Sequence, residues 1–535
     1  MPRKAIILLV LAGYAGLISA QQGWHLNFED NYRIHPGNVN QTEVFIVNSP
    51  VDHDILFSSC NTLTFIPFFV SEGIYVTTDG GASWSGNDTC TGEPEAFHGG
   101  DPGIAIDKNG TFILTRLGRS PFTGLYSHYS NDNGQTWSAQ QVISTDDLER
   151  AVLTSDIFPS SPYYGRTYAA WVRFSPPFPM MFSYSDDGGM NWSEAVAINN
   201  PQNRSAGGDI CIGPGGEVYV CWAGVTDVSP FEEIYVGFAS SENGGGSWNV
   251  SEEAFDMNGI TGLLTEKGNI RVNGLPSIAV DTSKGEKYGW IYIVSGQKDL
   301  LPAGSDPDII LNRSSDGGLS WLEGIRVNRD ALNNGKIQYF PSVHVDRFGA
   351  VDIIFYDDRN TTSDSAGVFL ARSLDGGINW NEYEISDHNY KPEPIGGLGQ
   401  GYQGDNIDLT STHAKLWPVW MDNSSGIYQL WTGPIDFSTL DDLGELEEMK
   451  TAMELFQNYP NPFLRQTSIT FHIQESGFVS LNIYDINGKH IANLINEFMS
   501  KGRHEISYRA RKPGIYYYIL SFDKRMITRK MLVLP

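Results

Sequence analysis

Charged side chains gather at the ends of short strand-like runs. Glu43, Asp101, Asp209 and Asp405 stand at the starts of such runs; Arg116, Arg119, Arg173, the run Tyr356-Asp357-Asp358-Arg359 and Asp422 stand at the ends of others. Longer connections add His98, Asp306, Asp308, His388 and Tyr402. Carboxylates facing each other across a cleft can divide the work of glycoside cleavage, because burial and mutual repulsion raise one pKa while the neighbour stays ionised. Asp101, Asp209 and Asp405 are the expected acid and base candidates. Arginines grip a sugar carboxylate through two parallel hydrogen bonds. Arg116, Arg173 and Arg359, with Tyr356 and Asp358 beside them, are therefore the expected substrate contacts. Strand capping, mutual ion pairing or a structural calcium would use the same residue types. No other cofactor is expected, and no His/Cys spacing resembles a zinc site.

The elements that must position these groups announce themselves as repeats. The pattern [Ser/Thr]-x-[Asp/Asn]-x-Gly-x-x-Trp occurs six times: Thr77/Asp79/Gly81/Trp84, Ser130/Asp132/Gly134/Trp137, Ser185/Asp187/Gly189/Trp192, Ser241/Asn243/Gly245/Trp248, Ser314/Asp316/Gly318/Trp321 and Ser373/Asp375/Gly377/Trp380. An Asp or Asn side chain accepts N–H bonds across its own turn, and the Gly two residues later tolerates positive φ. The Trp would then plug the gap between neighbouring sheets. These aspartates are read as turn formers rather than catalysts, since Asn243 replaces Asp without loss of the pattern. A second pattern precedes each turn, an apolar run, a turn and another apolar run, as in 101–107 with 111–115 and 275–281 with 290–294. Similar pairs start near Glu43, Val152, Gly208, Phe340 and Asp405, which makes seven units. The last one lacks the turn motif and a fourth strand. The segment Tyr32-Arg33-Ile34-His35 is expected to supply that strand and close a ring without exposed edges.

The six turns resemble those of the Asp-box β-propellers, the group that includes bacterial sialidases, over roughly residues 24–436. The resemblance implies an all-β propeller with a site on the face away from the turn motifs; the unit count makes it seven-bladed, with six as the alternative because the sialidase relatives have six blades. It also implies what a sialidase needs: three arginines on the substrate carboxylate, an aspartate acid/base and a tyrosine nucleophile paired with a glutamate. Tyr32-Arg33-Ile34-His35-Pro36 imitates the family's Arg-Ile-Pro signature but carries an inserted His, and no tyrosine–glutamate pair matches a family motif. No catalytic residue is carried over. The expected function is a carbohydrate-active enzyme, glycoside hydrolase or polysaccharide lyase, acting on acidic glycans; a non-catalytic propeller that binds glycans or proteins is the alternative.

Residues 1–20 read as a secretory signal peptide, with Arg3 and Lys4 ahead of an apolar run and Ser19-Ala20 before Gln21. No other stretch could span a bilayer. Cys60, Cys90, Cys211 and Cys221 are compatible with disulfides in an exported chain. Cys211 and Cys221 flank a Gly-Pro-Gly-Gly turn and could face each other, leaving Cys60 with Cys90; buried free thiols are the alternative.

The propeller is expected over 21–437 and an acidic linker over 438–453. Residues 454–535 carry 11 Lys and Arg against 6 Asp and Glu, in a chain of 535 residues whose net charge is −27. That excess of negative charge argues against nucleic acid as a partner. Alternating strand-like runs over 454–535 suggest a small Ig-like β-sandwich. The matches 458–463 (Asn-Tyr-Pro-Asn-Pro-Phe), 479–489, 513–516 and the basic end through Lys530 resemble the C-terminal sorting domain of the type IX secretion system. The resemblance implies that secretion machinery as a partner, periplasmic transit, and release outside the cell or attachment to the outer-membrane surface.

Overall fold

The turn motif folds as a self-contained hydrogen-bonded loop. In the copy at 314–321, Asp316 Oδ1 accepts from the Ser314 hydroxyl at 2.8 Å and the Ser320 N–H at 3.0 Å, while Ser314 Oγ accepts the Gly318 N–H at 2.9 Å. Gly318 has φ +86°, and a Cβ there would overlap the Phe238 ring of the preceding sheet. The same relation recurs around the molecule: Gly81 lies against Trp417, Gly134 against Val76, Gly189 against Ile113, Gly245 against Phe182 and Gly377 against Leu311. The motif tryptophans follow suit, Trp248 edge-on to Phe182 at 4.9 Å and Trp321 edge-on to Phe238 at 5.2 Å. Each turn therefore cements its sheet to the one before it.

The computed structural model describes residues 26–437 apart from 66, 67, 398 and 399, and 453–534 apart from 457, 459, 474, 475, 486–488, 511, 523 and 524. The expected signal peptide and nearly all of the expected linker lie outside the described residues. Asn27–Asp436 forms one compact unit. Its described residues hold seven antiparallel sheets built on a four-strand path, whose innermost strands are Asn40–Asn48, Gly103–Ile106, Val152–Ser155, Arg204–Ile212, Ser277–Val280, Gln338–Val345 and Asp408–Ser411. Each innermost strand packs against the next, and Asp408–Ser411 packs back on Asn40–Asn48, so the order is cyclic and the fold is a propeller. Tyr32–Arg33 provides the outer strand of the last sheet as expected, with Tyr32 opposite Thr432 and Arg33 opposite Trp431.

The core lies between sheets. Phe57, Ile74 and Val76 of the first pack with Ile104, Ile106, Phe112 and Leu114 of the second, all at most 4% exposed. Antiparallel register puts Ile106, Phe112 and Ser130 at one end of the second sheet, beside its turn motif, and Gly103, Thr115 and the 118–124 connection at the other. The mouth of the ring is the end away from the motifs. One element escaped the repeat analysis: the hairpin Gly262–Leu264/Ile270–Val272 between the fourth and fifth sheets. Its Lys267 is buried and ion-paired with buried Asp358.

The second compact unit contains two sheets, Met453–Leu455 with Gln466–Ile473 and Gly502–Arg509, and His490–Met499 with Gly477–Asp485, Gly514–Phe522 and Arg525–Val533. Alternate residues such as Ile469, Phe471, Leu481, Ile483 and Leu520 are fully buried in one shared core.

All four cysteines are free thiols. Cys211 and Cys221 do lie on adjacent strands, but Cys211 is opposite Tyr219 and Cys221 opposite Asp209. That diagonal offset separates side chains by roughly 7–8 Å, beyond the span of a disulfide. Among the described residues no helix is long and apolar enough to cross a membrane.

Candidate functional site

The chain enters several innermost strands through a bulge that the sequence marks only as a polar residue before an apolar run. The register slips between Thr42 and Phe45, between Ala206 and Asp209, and between Tyr339 and Ser342. Glu43 and Asp101 take left-handed backbone angles, φ 56° and 55°. A non-glycine residue there costs on the order of 1–2 kcal/mol, and bulges of this kind re-aim a side chain. Here they aim carboxylates into the mouth. Buried Asn61 holds both: its Nδ2 donates to Glu43 Oε2 at 3.0 Å and Asp101 Oδ1 at 2.9 Å, and its Oδ1 accepts the Asp101 N–H at 2.5 Å.

Opposite them, the segment just before Val152 delivers Glu149 and Arg150. Arg150 Nη1 lies 3.6 Å from Asp405 Oδ1 and 4.0 Å from Glu43 Oε2, and it also donates to Asn406 Oδ1. Its guanidinium stacks over Phe45 at 4.9 Å. Asp405 in turn accepts from Asn273 Nδ2 at 3.2 Å. Glu43, Asp101, Glu149 and Asp405 thus share one arginine in a cavity of about 370 Å³. The Arg150, Glu43 and Asp405 side chains are 16%, 19% and 20% exposed, so the cluster is reachable from solvent.

Four acids around one base cannot all ionise cheaply. Burial, then the Asp101 and Asp405 charges, push Glu149 up to about 7. Burial, then Asp405 and Asp101, hold Glu43 well above the usual carboxylate range, and burial raises Asp101 against the pull of Asn61 and Arg150. Burial would lower Arg150, but the surrounding carboxylates, Asp405 foremost, outweigh it and keep it charged. A carboxyl that keeps its proton near neutrality inside a cleft is what general acid catalysis uses.

The far wall of the same cavity is basic and aromatic, with Arg204, Phe231, Arg271 and Tyr402. Arg271 lies 4.7 Å over the Tyr402 ring and donates to Gln400 Oε1 at 3.1 Å. The inserted hairpin carries Arg271 to this position. Buried Glu233, beneath it, is pushed by burial to about 7 although it accepts the Gly274 N–H.

Of the expected acid and base candidates, Asp101 and Asp405 reach the mouth. Asp209 lines a second cavity of about 340 Å³ among the innermost strands, where it accepts the Ile278 and Ile210 N–H groups at 2.9 Å. The expected substrate contacts do not line the mouth. Arg116 is fully buried and donates to His128, Leu117 O and Gln140. Arg359 is tied to Asp357 and Glu382, Tyr356 is buried and donates to Met421 O at 2.7 Å, and Asp358 pairs with Lys267. Arg173 bonds through its backbone to Pro179 and pairs with Leu148. Among the outlying candidates, Arg119 donates to Ala96 O, His98 pairs with Glu72, Asp308 with Arg326 and Asp422 with His388, while Asp306 accepts the Gly335 N–H; Tyr402 alone of these lines the mouth. Among the described residues no group of three or more His, Cys, Asp or Glu side chains is arranged to hold a metal ion. Glu149, Arg150, Arg204 and Arg271 went unread in the sequence. Glu149 and Arg150 had a usable signal, because they sit immediately before a repeat's first apolar run, as Glu43 and Asp101 do.

No curated protein matches the sequence. Among solved structures, a polysaccharide lyase described as an ulvan lyase aligns over 74% of this chain and 94% of its own, at 13% identity and a TM-score of 0.47. A protein of unknown function from Dyadobacter fermentans aligns over 64% and 96%, at 15% identity and 0.41, and a Hadza microbial sialidase over 72% and 74%, at 14% identity and 0.40. Residues 128–139 match the family model for the BNR/Asp-box repeat, and residues 457–534 match that for a secretion system C-terminal sorting domain. The chain carries the Asp-box repeat on a propeller fold and a type IX secretion sorting domain, and its destination is the cell surface or the extracellular space.

Proposed function

We propose that the chain is an exported enzyme that hydrolyses acidic glycans at the mouth of a seven-bladed propeller. In this reading residues 21–437 form the propeller, 438–453 a linker and 454–535 an Ig-like sandwich that serves export. The observation that carries it is the cluster of Glu43, Asp101, Glu149 and Asp405 around Arg150, with Glu149 protonated up to about pH 7. Glu149 is the general acid: it gives its proton to the departing glycosidic oxygen. Asp405, held by Arg150 and Asn273, is the carboxylate that takes a proton from the attacking water. Asp101 and Asp405 keep Glu149 protonated, and Asp405, Glu43 and Asp101 keep Arg150 charged. Arg271 and Arg204, on the far wall, favour a negatively charged sugar.

The test is turnover by the purified exported chain on polygalacturonate, alginate, chondroitin sulfate and sialylated glycans, with Glu149→Gln and Asp405→Asn alongside. New reducing ends without a new carbon–carbon double bond, lost in both variants by about 10²-fold or more, support hydrolysis at this site. Products carrying an unsaturated uronate would replace hydrolysis with elimination. Binding without cleavage by the unaltered chain would make the mouth a glycan-binding site and remove the enzyme.

A further inference from the structure

Arg204 begins the innermost strand of the fourth sheet and lines the mouth cavity. Its guanidinium carbon lies 4.0 Å from the ring centroid of Phe178 and 4.6 Å from that of Phe231. The rings come from two separate loops, one in the third sheet and one in the fourth, and they are built alike. Phe178 N–H bonds to Ser175 O and Phe231 N–H to Val228 O, each at 2.8 Å, closing tight turns. Both phenylalanines are left-handed, φ 61° and 64°. A bulky residue in that region costs on the order of 1–2 kcal/mol, so two such residues converging on one side chain are a deliberate construction.

The grip leaves the charge unspent. Among the described residues none hydrogen-bonds or ion-pairs with the Arg204 guanidinium; its contacts are the two rings. Arg150 and Arg271, on the same cavity, both have polar partners. Cation–π stacking engages the π faces of a guanidinium, while its N–H donors point outward in its plane. Stacking therefore fixes the side chain's plane and leaves a rigid fork of donors for an anion with two oxygens. In a chain of net charge −27, with five carboxylates lining the same cavity, an arginine kept from all of them is reserved for an external anion.

We propose that Arg204, clamped by Phe178 and Phe231, is an anion subsite that takes the carboxylate or sulfate group of a sugar unit of the bound glycan. This rests on the glycan-cleaving reading of the mouth and adds the group by which the substrate is chosen.

The test is calorimetric binding by the full exported chain carrying Glu149→Gln, so that turnover does not consume the probe. Two matched pairs are used: κ-carrageenan oligosaccharides, whose only charges are sulfates, with the same material desulfated, and oligogalacturonate with the same material methyl-esterified. Arg204→Ala is expected to weaken binding of a charged probe by about 10–100-fold, the worth of a hydrogen bond to a charged group, and to leave its neutralised partner unchanged. Arg204→Lys, which keeps the charge without the fork, is expected to fall between. The pair that responds identifies sulfate or carboxylate. Unchanged melting temperatures in both variants tie the loss to the subsite. The proposal is overturned if neither charged probe binds, if charged and neutralised probes bind alike, or if Arg204→Ala weakens both members of a pair equally or neither. Anion-dependent binding without cleavage by the unaltered chain would sink the enzyme and keep the subsite; cleavage that ignores Arg204 would do the reverse.

Discussion

Arg150 Nη1 stands 3.6 Å from Asp405 Oδ1, joining the segment before the third innermost strand to the one before the seventh. The two sheets are not neighbours in the ring, so this pair exists only because the ring closes.

Replacing Arg150 removes the one arginine that, among the described residues, touches Glu43 and Asp405. Arg150→Met is expected to destabilise the propeller by about 1–3 kcal/mol, less than loss of one partner in a fully buried pair because the side chains keep some solvent. Urea unfolding at pH 8 reads the change, and no measurable loss there would show that solvent alone satisfies the carboxylates. Glycan turnover is expected to vanish with it.

Glu149 sets a pH dependence whose sign follows from its raised pKa. The folded state holds this proton up to about pH 7, whereas the unfolded chain releases it in the usual carboxylate range. Folding therefore binds the extra proton between those limits, and stability falls as pH rises through that window. Glu149→Gln is expected to equal the unaltered protein near pH 4 and exceed it by on the order of 1–3 kcal/mol above pH 7. Activity of the unaltered chain should decline as pH rises past about 7, when the acid is lost.

Asp408 makes a second cross-sheet link at ring closure, accepting the Ile46 N–H at 3.0 Å and the Leu409 N–H at 2.8 Å. Burial pushes it to about 7. Asp408→Ala leaves two backbone donors without an acceptor and is expected to cost about 1–3 kcal/mol. Asp408→Asn keeps an acceptor for one of the two N–H groups and sets its Nδ2 against the other, so at pH 8 it should lose less stability than Asp408→Ala. Thermal unfolding of the two variants at pH 8 decides; equal losses would contradict the hydrogen-bonding role.

Two adjacent glycines in one turn separate backbone strain from packing. At Gly317 (φ +74°) a Cβ would meet nothing within 4 Å, whereas at Gly318 (φ +86°) it would overlap Phe238. Gly317→Ala is expected to cost about 1 kcal/mol. Gly318→Ala adds an overpacking penalty of about 1–3 kcal/mol. Chemical denaturation of the pair checks the difference, and equal costs would mean that the turn does not lock the sheets together.

The sequence by itself determined the repeat, the turn chemistry and the address. A motif of Ser, Asp, Gly and Trp encodes a loop whose bonds are all local, so six copies of it declare six copies of one unit. The closing strand was also legible, because Tyr32-Arg33 occupies the repeat position missing after the seventh unit. Asp101 and Asp405 could be named for the same reason: each heads a repeat's first strand. Only the tertiary structure decided the rest. Arg116, Tyr356 and Asp358 sit at the strand ends where a site was expected, yet each is buried in bonds of its own, Arg116 within its own sheet, Tyr356 to the neighbouring sheet and Asp358 to the inserted hairpin. Arg150, Arg204 and Arg271 come from separate segments, one of them an inserted hairpin outside the repeat, and meet on one cavity at the mouth. The protonation of Glu149 follows from burial beside Asp101 and Asp405, carboxylates of two other sheets. A linear pattern carries local hydrogen bonding; desolvation and charge proximity belong to the space that closure creates.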